Sequence, residues 1–125
     1  MDRLVQEDQA MRMLDWNGYR DKLLAGVGLL GKLSPDTTRG YAMLGGAGAK
    51  TGHLDAKTRE LIALGAAVSL RCDGCITVHT KAARVAGASK EEIAEALGVA
   101  ISLNAGAALV YSTRVLDAFE ALDEV

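Results

Sequence analysis

Residues 55–87 read DAKTRELIALGAAVSLRCDGCITVHTKAARVAG, and this stretch decides the fold. Its middle, Leu61 to Leu70, is apolar on nearly every side of a helix and shows none of the alternation of a strand. Asp55 stands where an N-cap is wanted, so a helix is expected from there to about Leu70. Cys72-Asp73-Gly74-Cys75 lies where that helix ends and the next begins, near Asp73 and running to Gly87.

The same reading extends outward. Upstream, Trp16, Tyr19, Leu23, Val27 and Leu30 recur at spacings of three and four, with Asp15 as N-cap and Gly31 as a stop. Ser34-Pro35 reads as cap and first helical residue, opening a helix to about Leu44. Gly45 to Gly52, GGAGAKTG, reads as a flexible break. A phosphate-binding loop there would need glycine directly before Lys50 and again five positions earlier, where Ala49 and Leu44 stand. Downstream, Ser89 and Glu92 form a capping box for a helix from Lys90. Asn104 to Gly106 suggests a kink or short break, after which Tyr111, Val115, Phe119 and Leu122 mark the buried stripe of a closing helix. The expectation is an all-α bundle of about six helices in a single domain, residues 1–125.

Composition agrees. Half of the 125 residues are hydrophobic but only 4% are aromatic, so Ala, Leu, Val and Ile must build the core. Two helices apolar all round need partners on several sides. A homo-oligomer is therefore expected, with Leu61–Leu70 and Ala96–Val110 contributing to its contacts. A net charge of -2 with the signs mixed offers no basic footprint for nucleic acid or anionic lipid. Met1 to Leu14 carries too many charges for a secretory signal. The most apolar run, Ala96 to Tyr111, is shorter than the ~20 residues of a membrane span and reads as buried in protein. A cytoplasmic location is expected, where close cysteine pairs are usually catalytic or metal-binding.

The chemistry gathers at the second helix. Cys75 falls in its first turn, where free backbone N–H groups and the helix dipole favour a thiolate. His79, four residues on, shares its face and can take the thiol proton. Cys72 is close enough to bridge to Cys75 once that sulfur is oxidised. Such a set can reduce a peroxide: thiolate attack on the O–O bond, a sulfenic acid, then a disulfide that an external dithiol reopens. The opposite order of the two cysteines, as in thioredoxin-type pairs, stays open. So do a redox sensor or dithiol carrier, buried packing cysteines, and a zinc-binding structural module in which His53 or Glu60 completes Cys72, Cys75 and His79. His53 otherwise reads as a loop residue.

Taken together, Asp55 to Leu61 (DAKTREL), Cys72-Asp73-Gly74-Cys75, His79, Ala82-Ala83 and Gly87-Ala88 resemble the carboxymuconolactone decarboxylase family, and more narrowly its AhpD-like alkylhydroperoxidase branch. The resemblance covers roughly residues 35–121, leaving the N-terminal residues 1–33 outside its strongest part. It implies an all-α fold assembling as trimers or hexamers and a proton relay of glutamate, two cysteines and histidine. Glu60 becomes the relay carboxylate, His79 its imidazole, Cys75 the attacking and Cys72 the resolving cysteine. Some members of the branch place histidine between the cysteines, where this chain has Gly74. True lactone decarboxylases generally lack the pair, which leaves a lactone decarboxylase-like enzyme as a further alternative. Glu60 precedes Arg71 by ~16 Å of helix. It meets His79 only if the second helix folds back across the first or a neighbouring subunit intervenes. The expected enzyme is a peroxidase without metal or organic cofactor. Small apolar linings suit an organic hydroperoxide better than a charged substrate. A lipoyl- or thioredoxin-like protein would suit as the external dithiol.

Overall fold

The computed structural model describes Arg3 and residues 11–124. The reading of residues 1–14 as free of an export signal therefore falls largely outside the described residues. These form five α-helices, α1 (Trp16–Leu33), α2 (Pro35–Thr51), α3 (Ala56–Leu70), α4 (Asp73–Val85) and α5 (Lys90–Ala121), and a closing 3₁₀ turn, Leu122–Glu124. No strand occurs among them. Neighbours in space run α2, α1, α4, α3, α5, so the two helices of the opening stretch form the centre.

The helix ends follow from side chains close in sequence. The Asp55 carboxylate accepts the Thr58 backbone N–H at 2.8 Å, and this bond above all holds the Asp55 carboxyl below its usual range. Ser89 and Glu92 cap each other reciprocally, each bond at 3.1 Å. Ser34 ends α1 three residues past Gly31, because the residue before Pro35 is driven out of helical geometry. At the end of α3, Arg71 takes the left-handed conformation (φ 54°) at about 1 kcal/mol of steric cost. The Arg71 N–H then bonds Val68 O and the Cys72 N–H bonds Ala67 O, a Schellman closure. Cys72 is also the N-cap of α4, its sulfur accepting the Cys75 N–H at 3.1 Å. One residue thus ends α3 and starts α4, and the chain reverses there.

Two expected breaks are absent. The glycine-rich run is helical to Thr51, and α2 ends only at Gly52, whose positive φ of 71° is the real stop signal. Each glycine costs a helix about 1 kcal/mol relative to alanine, a cost spread here among Ala47, Ala49 and Lys50 in a helix already begun. Likewise α5 passes straight through Asn104. The amide of Asn104 donates to Ser69 Oγ and Ala100 O, both at 2.7 Å, so it bonds away from the local N–H groups it would need to break the helix.

The unbroken α5 overturns a third expectation. Its early turns lie on α3, where a Cβ on Gly65 would sit 3.5 Å from that of Ala100. Beyond Asn104 it projects past the bundle, and Tyr111, Val115, Phe119 and Leu122 are exposed instead of buried. The helix with its 3₁₀ extension, Lys90–Glu124, is by length and composition able to cross a bilayer, whereas the sequence reading took the run as too short. Within one chain the run is not covered by protein either, as only Ala100 of α5 is buried. Among the described residues the buried set is Leu64, Ala67, Thr77, Ala83 and Ala100. The chain exposes 10362 Å², against roughly 6,400 Å² for a compact monomer of this mass.

Lys57 Nζ meets Glu92 Oε2 at 2.7 Å, bracing the start of α3 against the start of α5. Lys57 above all, then the Ser89 N–H, holds the Glu92 carboxyl below its usual range, and Glu92 raises Lys57. The Glu92 contribution to stability is thus full above the unfolded carboxylate pKa and is lost as pH falls through the lower folded value. Glu92→Gln keeps the capping-box acceptor but removes the charge. Its melting temperature should lie below wild type by a constant margin above about pH 5, a gap that closes in acid. A gap independent of pH would show that the pair contributes nothing.

Candidate functional site

The reversal at Arg71–Cys72 assembles the site. Folding α4 back along α3 brings Glu60, on the second turn of α3, to His79, on the second turn of α4. His79 Nδ1 and Glu60 Oε2 stand 2.7 Å apart within one chain. No neighbouring subunit is needed for this contact. The carboxylate accepts the Nδ1–H, which leaves Nε2 as the basic nitrogen of the neutral ring. Both side chains are about three-quarters buried, at 30% exposure for His79 and 24% for Glu60. Water therefore screens their interaction less than on an open surface.

Cys72 and Cys75 are joined as a disulfide, their Cα atoms 5.2 Å apart, at the N-terminus of α4. Both residues are half-buried. The sulfur that receives a helix-terminal N–H is that of Cys72, whereas sequence reasoning gave the helix-end advantage to Cys75. Cys75 keeps the other advantage, standing one turn from His79 on the same face of α4. Gly74 between them has a packing reason. A Cβ there would come within 2.9 Å of Leu23 Cδ2, so α1 leaves no room for a histidine without moving. Among the described residues no three His, Cys, Asp or Glu side chains are grouped to hold a metal ion, and His53 lies outside the cluster in the α2–α3 loop.

Two features escaped the sequence reading. Thr77, buried at 3% exposure, donates to Trp16 O at 3.0 Å and accepts from Arg20 at 3.4 Å, pinning α1 to α4. A groove of about 570 Å³ also runs beside the Glu60–His79 pair, with Glu60, Leu24, Val78, Ala82 and Val85 in its walls. Val78 and Ala82 stand three and seven residues after Cys75, so the groove continues the face of α4 on which Cys75 lies. The helical spacing on α4 was legible, but the wall contributed by α1 was not.

Known proteins are similar to this chain in sequence and in fold. An uncharacterized protein of Haemophilus influenzae is 50% identical over 105 residues, covering 84% of this chain and 93% of its own. The uncharacterized protein 4 of the cox locus of Paracoccus denitrificans is 40% identical over 72 residues, 58% of this chain and 65% of its own. In three dimensions the chain is similar to the apo crystal structure of a carboxymuconolactone decarboxylase family protein from Legionella pneumophila. The TM-score is 0.68 at 34% identity, covering 84% of this chain and 94% of that one. Residues 35–118 match the profile of the carboxymuconolactone decarboxylase family, so the match includes Glu60, both cysteines and His79. The chain belongs to the carboxymuconolactone decarboxylase family.

Proposed function

We propose that the protein is a cytoplasmic thiol peroxidase of the AhpD-like kind, reducing organic hydroperoxides at the Cys72–Cys75 pair. The observation that carries this reading is the 2.7 Å contact of His79 with Glu60, one helical turn from a bridged CxxC. A structural disulfide has no use for a carboxylate-oriented imidazole on the same helix face.

The cycle starts from the two free thiols. His79 takes the proton of Cys75, with Glu60 stabilising the imidazolium that forms. The Cys75 thiolate attacks the terminal oxygen of the hydroperoxide, and the O–O bond breaks. Sulfur gives up the electron pair and becomes a sulfenic acid, while the departing alkoxide takes the proton from His79 and leaves as alcohol. Cys72 then attacks the Cys75 sulfur, a disulfide forms, and water departs. An external dithiol reduces the bridge and is itself oxidised. The N–H that Cys72 receives at the helix end lowers the cost of its thiolate. That suits it both to resolve the sulfenic acid and to leave when the reductant attacks Cys75.

Turnover of cumene hydroperoxide with a dithiol reductant tests the reading. Cys75→Ser should abolish activity. Cys72→Ser should consume about one equivalent of peroxide per chain and stop. Glu60→Gln should lower kcat by about 10²-fold, as loss of general acid–base assistance does. If Cys75→Ser still consumed an equivalent of peroxide and Cys72→Ser did not, the order of the cysteines would be reversed. No consumption by wild type would reject the enzyme.

We further propose that copies of the chain assemble as a trimer or hexamer. The excess exposed area and the bare apolar faces of α5 and α2 (Leu103, Val110, Phe119, Tyr41, Leu44) support this. Sedimentation equilibrium in detergent-free buffer should give three or six times the chain mass. A stable monomer, or a chain soluble only in detergent, would contradict it.

A further inference from the structure

The groove beside Glu60 has α4 as its floor, α3 on one wall and α1 on the other. Its lining is largely apolar along Leu24, Val78, Ala82 and Val85, but two cations, Arg20 and Lys81, stand at its rim. The same two residues line a second cleft on the adjoining face of α4, of about 590 Å³, together with Trp16, Thr80 and Arg84. Arg20 bonds only neutral partners, Asn17 at 2.8 Å and Thr77 at 3.4 Å. Among the described residues no carboxylate lies within ion-pair distance of Arg20, Lys81 or Arg84. Positive charge is therefore concentrated where α1 meets α4, while Glu60, the acid of the lining, stands on the α3 side.

We infer that this groove takes an aliphatic monocarboxylate, its chain along α4 and its carboxylate at the Arg20–Lys81 rim. The substrate class of the proposed peroxidase is then a hydroperoxide of a medium- or long-chain carboxylic acid; this refinement rests on the peroxidase reading. The charges allow one orientation. A carboxylate placed at Glu60 would meet a like charge, whereas at the rim it meets two cations, so the chain and not the head is presented to the relay. Arg20 precedes the matched residues 35–118, so one of the two cations lies outside the family match, whereas Lys81 lies within it. The apolar lining expected from the sequence is kept, but the expectation that it disfavours a charged substrate is not: a carboxylate is required at one end.

Titration calorimetry on the whole, disulfide-bridged protein tests binding without turnover. Sodium octanoate should bind about tenfold or more tightly than 1-octanol at low ionic strength, an advantage that added salt erodes. Lys81→Gln with Arg20→Gln, which removes both cations of the groove and keeps a hydrogen-bonding side chain at each, should remove most of that advantage while leaving octanol binding as it was. Equal affinity for acid and alcohol, or an octanoate affinity untouched by the double variant, would overturn the proposal. So would the absence of any binding because a second copy of the chain covers the groove. Octanoate binding in a protein that reduces no hydroperoxide would keep the site and reject the peroxidase; the converse would reject the site alone.

Discussion

The structure depends on the corner at Arg71 and Cys72. A helical hairpin can place Glu60 against His79 only if the chain reverses almost without a loop. The left-handed Arg71 and the double role of Cys72 supply that reversal. Cys72 completes the closure of α3 through its N–H and opens α4 through its sulfur. The residue at the corner between the helices thus also carries one of the two bridged sulfurs. The bridged Cys72 sulfur is also the cap of α4, the helix that carries His79 and the floor of the groove.

What was legible in the sequence is what local chemistry decides. Asp55 with Thr58, and Ser89 with Glu92, satisfy helix N–H groups within three residues, so the residue types alone place the helix starts. The same short range made the Cys72-to-Cys75 spacing and the Cys75–His79 face readable. The errors arose where distant contacts or accumulated helix stability outweighed a local signal. Asn104 looks like a breaker until Ser69, 35 residues away, takes its amide. Gly45 to Gly52 looks like a break because propensity is counted residue by residue, whereas a helix already nucleated runs on through it to Thr51. Glu60 was singled out by family likeness. The contact that makes sense of it depends on the Arg71 corner, which no residue preference announces, since arginine is not a residue that favours a positive φ. The contact of Arg20 with Thr77 spans 57 residues and left no trace in either segment.

The chain is unusual in how little it buries by itself. The Glu60–His79 pair lies on the α3–α4 hairpin, whereas much of α2 and the far half of α5 present leucine, valine and aromatic side chains to solvent. Gly45 and Gly46 have nothing within 4 Å of where a side chain would begin, so they keep a smooth helical face open and fill no need inside the chain. The polar node of Asn104 and Ser69 sits on the edge of this apolar surface. The Glu60–His79 contact and the cysteine bridge are therefore separable along the sequence from the exposed apolar surface. The hairpin from Asp55 to Gly87 holds the first two, the flanking helices hold the apolar faces, and α1 adds a wall and a charge to the groove.

In the proposed function, Cys72 and Cys75 exchange two electrons with a hydroperoxide. Intact-protein mass spectrometry after one equivalent of cumene hydroperoxide, added to the reduced protein and followed by thiol blocking, tests it most directly. The chain should lose two hydrogens and both blockable thiols, mapped to a Cys72–Cys75 bridge that a dithiol reverses and a second equivalent of peroxide restores. Two thiols still free and fully blocked after peroxide would contradict it.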